Sequence, residues 1–172
     1  MSQGAIRVSL REFCVWLEAT PLSLFIQTTT WIIPTIQTIH IVSIAVVISS
    51  VLVVHLHTLG LAMRSQSSAQ LARRFLPWVW TALVVLLLTG TTLVIGEPGR
   101  SLPNIMFQLK MVLVLVAVAL TVFYQQPLRR DPVFWAANRL RRACANTIAV
   151  VSLCVWVGIV FAGRWIAYAI DG

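Results

Sequence analysis

Four long apolar segments alternate with short polar connections along the chain. They cover about residues 31–63, 75–96, 104–124 and 143–168. A helix that crosses a bilayer needs about 20 apolar residues, and each segment reaches that length. Open strands are excluded from the hydrocarbon region because their backbone groups would lack hydrogen-bond partners there. The pattern therefore predicts four membrane-spanning helices.

A shorter amphipathic segment, residues 9–19, precedes the first span. Ser9 and Glu12 have the spacing of a capping box, which predicts a helix start. The segment is too short to cross a bilayer, so we expect a helix lying in the membrane interface. Its apolar face consists of Leu10, Phe13, Cys14 and Leu17.

Composition strengthens this interpretation and excludes other classes. Of the 172 residues, 59% are hydrophobic and 10% are charged, whereas a soluble domain carries about 25% charged residues. The mean hydropathy of +0.88 is also unlike that of a disordered chain. We expect an all-α, four-helix membrane bundle that forms a single domain over residues 1–172. No motif of a hydrolase or a nucleotide-driven pump is present, so we expect no enzymatic activity.

The net charge of +8 comes mainly from arginines in short connections. Basic residues next to spans remain on the cytoplasmic side, so they report topology rather than nucleic-acid binding. The opposite side carries Arg7, Arg11, Arg100 and Arg164. The asymmetry predicts a bacterial inner-membrane protein with both termini outside the cytoplasm. The connections after spans one and three carry Arg64, Arg73, Arg74, Arg129, Arg130, Arg139, Arg141 and Arg142.

Polar residues inside a bilayer are costly and are candidates for function. By depth along their helices, His40, Lys110 and Arg164 fall in the outer half of three different spans. Gln37 lies one turn from His40, and Met106 lies one turn from Lys110. We expect these five residues to form one polar cluster facing the extracytoplasmic side.

Such a cluster suits an anionic, metal-containing cofactor. His40 would ligate the iron of haem b, Met106 would supply a second axial ligand, and Lys110 and Arg164 would face the propionates. The alternative is structural: Lys110 pairs with Glu97 or extends towards water, and His40 forms a hydrogen bond between helices. All three histidines lie on span one, so a bis-histidine haem requires a second copy of the chain.

His55 and His57 belong to the other end of span one. Residues two apart on a helix point about 200° apart, so these two cannot chelate one metal. We expect two interfacial histidines, of which one faces the bundle. Two pairs of small residues spaced by four, Ala45 with Ser49 and Gly158 with Ala162, predict close helix contacts within the bundle or between copies.

Several motifs resemble an uncharacterised family of bacterial four-span membrane proteins, distantly similar to copper-resistance-D-like proteins. They include W-x-x-P-x-x-Q-x-x-H at 31–40, N-x-x-F-Q-L-K at 104–110 and A-G-R-W-I-A-Y at 162–168. The family pattern has D-L-R-x-L-G where this chain has H-L-H-T-L-G at 55–60. The resemblance keeps His40, Lys110 and Arg164 and implies no defined activity.

Three functional hypotheses follow, given in order of preference. The first is a membrane subunit that binds haem b and passes electrons to a membrane redox partner, with the lipid bilayer around it and a homo-oligomer as a further possible assembly. The second is a transport or permeation protein for a small solute or a metal ion such as copper. The third is a structural subunit without a cofactor.

Overall fold

The computed structural model describes residues 2–62 and 66–166, with side chains from residue 10 onward. Within these ranges the chain is helical and contains no strand, which confirms the all-α prediction. A 3₁₀ turn covers Phe134–Ala136. The helices are α1 Ser2–Glu18, α2 Pro21–Thr28, α3 Ile32–Thr58, α4 Ser68–Gly96, α5 Pro98–Ser101, α6 Ile105–Arg130 and α7 Arg139–Trp165.

The four long helices α3, α4, α6 and α7 contain 26 to 29 residues each. By length and composition all four are able to cross a membrane, with window hydropathies from 2.1 to 2.4. Large apolar side chains cover their outer surfaces, as expected for helices that face lipid. The chain therefore has the helices of a multi-pass membrane protein.

The long helices pack as two hairpins. α3 packs against α4, α6 packs against α7, and α3 and α7 join the two hairpins. Of the four neighbouring pairs of long helices, α4 and α6 contact each other least, so this side of the bundle is the loosest. We call the end covered by α1, α2 and α5 the capped end, and the end that holds the α3–α4 and α6–α7 connections the arginine end.

All four helix boundaries at the arginine end differ from the prediction, and α7 for example begins at Arg139 instead of 143. Apolar residues continue to about residue 63, but α3 ends at Thr58 because Gly60 adopts a left-handed backbone, with φ of 74°. The amide of Leu61 then bonds the Leu56 carbonyl at 2.9 Å, and the amide of Gly60 bonds the His57 carbonyl. This pattern of bonds closes a helix C-terminus and gives partners to the carbonyls of Leu56 and His57.

The second and third spans are both longer than predicted. α4 starts at Ser68, not at residue 75, because Ser67 and Gln70 form a reciprocal capping box. α6 continues to Arg130 through Pro127, six residues beyond the predicted end. Hydropathy does not show these extensions, because the additional helical turns consist largely of polar residues and lie outside the apolar segments.

The capped end contains more helix than predicted. α1 begins at Ser2, so the proposed start at Ser9 is wrong, and α2 is an additional short helix between α1 and the first long helix. Ser23 of α2 donates its hydroxyl to the Ile95 carbonyl at 2.7 Å. The Glu18 carboxylate accepts the Gly99 amide at 3.1 Å. These bonds fasten α1 and α2 to the connection between α4 and α6.

The two predicted small-residue pairs have different environments. A Cβ on Gly158 would lie 3.4 Å from Leu113 of α6, and Ala162 is buried, so this pair lies in the bundle as predicted. Ala45 and Ser49 are exposed on α3. That pair makes no close helix contact within one chain.

Candidate functional site

The candidate site lies in the capped half of the bundle, where His40 of α3 meets Thr89 of α4. The Nδ1 atom of His40 is 2.8 Å from the Thr89 hydroxyl. His40 comes eight residues after the start of α3 and Thr89 seven before the end of α4, which places both roughly 10–12 Å below the capped end. The interhelical hydrogen bond expected for His40 is therefore present.

The Thr89 hydroxyl fixes the tautomer of His40. Thr89 donates its one hydroxyl proton to the Val85 carbonyl at 2.7 Å, since a carbonyl can only accept. The short contact with His40 therefore requires Nδ1–H of His40 as the donor. The other ring nitrogen, Nε2, then keeps its lone pair.

Lys110 of α6 approaches the same region from the second hairpin. Its aliphatic stem and Nζ lie against Gly163 of α7, where a Cβ would stand 3.6–3.7 Å from them. Its side chain is half-buried, five residues after the start of α6. His40 and Lys110 therefore lie in the same half of the bundle.

The other three predicted members lie farther out or are exposed. Gln37 is exposed on α3, although it is one turn from His40. Met106 is half-buried in the first turn of α6, where its amide bonds the Asn104 side chain at 2.9 Å. Arg164 is exposed beside Gly163 near the end of α7. Of the five predicted site residues, His40 and Lys110 are half-buried in the capped half, and Thr89 is an unpredicted partner of His40.

Glu97 does not compensate Lys110. Its carboxylate pairs with Arg100 at 3.1 Å, at the capped end. The pairing proposed as the structural alternative for Lys110 is therefore wrong. None of the described residues forms a group of three His, Cys, Asp or Glu side chains able to hold a metal ion.

One feature at this depth was not anticipated. Trp156 of α7 is buried, and its Nε1–H has no hydrogen-bond partner. It comes nine residues before the end of α7, roughly 14 Å below the capped end and close to the depth of His40. An unpaired buried donor is costly, so this N–H is a second group that a ligand would satisfy.

The two histidines at the arginine end have separate roles, as the helical spacing predicts. His55 is buried and contacts the edge of Tyr124, with 5.7 Å between ring centres. His57 is half-buried and binds the connection: its Nδ1–H donates to the Ala62 carbonyl at 3.3 Å, and Nε2 accepts from the Ser68 hydroxyl at 3.2 Å. Neither histidine contributes to the site in the capped half.

A cavity at the arginine end was also not predicted. It has a volume of about 540 Å³ and lies between the end of α3, the 3₁₀ turn and the first turns of α7. Arg142 and Asn146 line it, together with the aromatic side chains of Tyr124 and Trp135. Sequence patterns do not show cavities, although the i, i+4 spacing of Arg142 and Asn146 places both on one face of α7.

The chain belongs to a family of unknown function, DUF6644, whose model matches residues 13–169. No curated protein and no solved structure shows significant similarity to it. Membership confirms the resemblance to a family without an assigned activity. The geometry of the site therefore has to carry any functional argument.

Proposed function

We propose that this chain is a non-enzymatic membrane subunit that binds haem b in the capped half of the bundle and passes electrons to a membrane partner. The observation that carries the proposal is the hydrogen bond between His40 and Thr89, which leaves the other ring nitrogen of His40 with its lone pair. Lys110 supplies a positive charge in the same half of the bundle.

The hydrogen bond to Thr89 supports the role of His40 as a ligand. Histidines that ligate metals usually donate their second ring N–H to a neighbouring acceptor, which fixes the ring and its tautomer. His40 has this arrangement, with Nδ1–H held by Thr89 and Nε2 available.

The charge of Lys110 favours an anionic cofactor over a bare metal cation. A copper or zinc ion on His40 would face a like charge, and none of the five acidic residues lies inside a spanning segment to compensate it. A porphyrin carries two carboxylates, one of which would pair with Lys110. The exposed guanidinium of Arg164 lies one residue from Gly163, on which Lys110 rests, and would receive the second.

A macrocycle would have to enter on the loosest side of the bundle. Among neighbouring long helices α4 and α6 contact each other least, and His40 is bonded to α4 while Lys110 belongs to α6. A ring held between these two helices would reach the depth at which Trp156 has its unpaired N–H. Met106, or a histidine of a second copy, would complete the coordination of the iron.

The membrane orientation belongs to the same proposal. The arginine end would lie in the cytoplasm of a bacterial inner membrane, and the capped end with both termini would lie outside. The haem would then sit in the outer leaflet, within reach of an extracytoplasmic or membrane redox partner.

An absorbance spectrum of the detergent-solubilised protein, produced in cells supplied with a haem precursor, tests the proposal. We expect a Soret band and a reducible α-band in the wild type. His40→Ala should remove both. The matched control is His57→Ala, which deletes an imidazole at the other end of the same helix and should retain the bands.

Two outcomes would contradict this function. A colourless wild type under haem-replete conditions excludes haem, and equal spectra for His40→Ala and the wild type exclude this site. The copper permeation alternative rests on the distant similarity to copper-resistance-D-like proteins. A colourless protein that alters copper tolerance in a His40-dependent way would favour it instead.

A further inference from the structure

The cavity at the arginine end is independent of the His40 region. Its volume of about 540 Å³ is in the usual range for small-ligand sites. It opens near the ends of the spanning helices, at the level where lipid headgroups and water meet the hydrocarbon region. Among the described residues that line it none is acidic, and Arg142 supplies a positive charge.

Most polar groups on its walls are already used by the protein. Both ring nitrogens of His57 have partners, in Ala62 and Ser68. The Thr58 hydroxyl donates to the Val54 carbonyl, so the Tyr124 hydroxyl, 2.6 Å away, donates to Thr58. These groups shape the cavity and leave little hydrogen-bonding capacity for a ligand.

Two groups on α7 remain available. The Oδ1 atom of Asn146 is buried and accepts no hydrogen bond. Arg142, one turn earlier, forms no ion pair and no side-chain hydrogen bond with any part of the chain that the structure describes. One group therefore requires a donor and the other requires an anion, at neighbouring positions of one cavity.

Two aromatic side chains form a fixed wall of the cavity. Trp135 stacks on Tyr124 with ring centres 5.8 Å apart and planes 9° from parallel. The Trp135 indole N–H also donates to the Tyr124 backbone carbonyl at 3.1 Å. A wall fixed by a stack and a buried hydrogen bond lowers the ordering cost of ligand binding, because the site exists before the ligand arrives.

We propose that this cavity binds a phosphate ester that also carries a hydrogen-bond donor. The phosphate would pair with Arg142, since a guanidinium matches the geometry of phosphate oxygens. A hydroxyl or ammonium group on the esterifying alcohol would donate to Asn146. The headgroup of phosphatidylglycerol and soluble glycerol 1-phosphate share this chemistry.

The surrounding charge favours such a ligand. Four further arginines lie on the last turn of α6 and the first turn of α7 and raise the positive potential at the mouth of the cavity. They are Arg129, Arg130, Arg139 and Arg141. The guanidinium of Arg141 lies 4.2 Å from the centre of the Phe134 ring and is therefore engaged outside the cavity. Among the described residues that line the cavity, Arg142 is the one with a positive charge.

Calorimetric titration of the full-length protein in detergent tests the proposal with three probes. They are dihexanoyl phosphatidylglycerol, dihexanoyl phosphatidylmethanol, which has the same charge but no donor on its alcohol, and glycerol 1-phosphate. We expect phosphatidylglycerol to bind about tenfold more tightly than phosphatidylmethanol, which is the effect of one buried hydrogen bond. Binding of glycerol 1-phosphate as tight as that of the lipid would identify a soluble ligand, and binding of the lipid alone would identify a membrane lipid.

Two substitutions on α7 locate the binding. Arg142→Gln should weaken phosphatidylglycerol at least tenfold, because it removes a charged hydrogen-bond donor. Arg139→Gln removes the same charge from the same helix outside the cavity and should leave the affinity within about twofold. Asn146→Leu should abolish the preference for phosphatidylglycerol over phosphatidylmethanol. If this variant does not fold, the comparison of the two lipids on the wild-type protein still tests the role of the donor.

The proposal is overturned if Arg142→Gln and Arg139→Gln have equal effects, or if the wild type does not distinguish phosphatidylglycerol from phosphatidylmethanol. Neither result would affect the haem proposal, since no probe touches the capped half. Conversely, a colourless protein would leave this site standing.

Discussion

The two ends of the bundle treat their polar residues in opposite ways. In the capped half, helices approach closely over small residues, and His40 and Thr89 satisfy each other across the α3–α4 contact. At the arginine end, Tyr124 and Trp135 stack on the cavity wall, and the Oδ1 atom of Asn146 has no hydrogen-bond partner. Burying a polar residue costs free energy at either end. His40 is compensated by a hydrogen bond within the protein, whereas the Oδ1 atom of Asn146 is not.

This difference bears on how each end would act. A bonded histidine with a defined tautomer is prepared to coordinate a metal, because its geometry is set before binding. A cavity with an unpaired acceptor and an unpaired cation is prepared to take a polar ligand. The following substitutions test the contrast, in order of decreasing effect.

Trp135→Ala should have the largest effect on stability. Trp135 is buried, stacks on Tyr124 and donates to its backbone, so its loss should lower the free energy of unfolding by about 3–5 kcal/mol. Thermal unfolding in detergent measures the change. Trp135→Phe keeps the packing and loses only the hydrogen bond, so a loss as large as that of the alanine variant would show that stacking contributes little.

Gly96→Ala should destabilise the capped end by about 1–3 kcal/mol. A Cβ there would stand 2.9 Å from Cγ2 of Ile26, and α2 would have to move away from α4. Gly90→Ala is the matched control in the same helix, because its Cβ would meet only His40 at 3.5 Å. That substitution should be neutral or stabilising by up to about 1 kcal/mol. Equal losses in both variants would show that helix geometry rather than the α2 contact decides.

Thr89→Val should have a small effect on stability and a clear one on His40. Interhelical hydrogen bonds in membranes contribute about 0.6 kcal/mol on average, so unfolding should change by about that amount. The valine leaves Nδ1 of His40 without its acceptor, so nitrogen NMR of labelled histidine should show loss of the single Nδ1–H tautomer. An unchanged tautomer would indicate that Thr89 does not determine it.

Cys14 tests the packing of the capped end with no expected loss of stability. Burial, and secondarily the Glu18 carboxylate, raise the pKa of the Cys14 thiol above its ordinary value of 9.0. The thiolate fraction is therefore lower in the folded state, so alkylation should begin at higher pH than in the unfolded chain. A variant with Cys14 as its only cysteine, titrated folded and in denaturant, measures this.

The Glu18→Gln variant gives the control for Cys14. It removes the smaller of the two causes while keeping an oxygen that can accept the Gly99 amide. Alkylation of Cys14 should then begin at a slightly lower pH than in the parent, still above that of the unfolded chain. Coincident folded and unfolded profiles would show that Cys14 is accessible.

The sequence predicts the number and order of the long helices. It does not predict their ends from hydropathy, because the ends depend on single glycine and capping residues. The four apolar segments correspond to the four helices that are long and apolar enough to cross a membrane, because a bilayer requires long apolar helices and permits little else. The end of α3 depends on Gly60, and the start of α4 depends on the box formed by Ser67 and Gln70. Both signals are present in the sequence, but neither is apolar.

The sequence alone determined that four helices are long and apolar enough to cross a membrane and that His40 and Lys110 fall in the same half of these helices, because helical rise converts residue number into distance. Which neighbours those residues meet was decided by the tertiary structure. Thr89 became the partner of His40, Gly163 the support of Lys110, and Gln37 remained exposed. Depth follows from position along one helix, whereas a contact depends on the rotation of each helix about its axis, and only the packing of all four fixes that rotation.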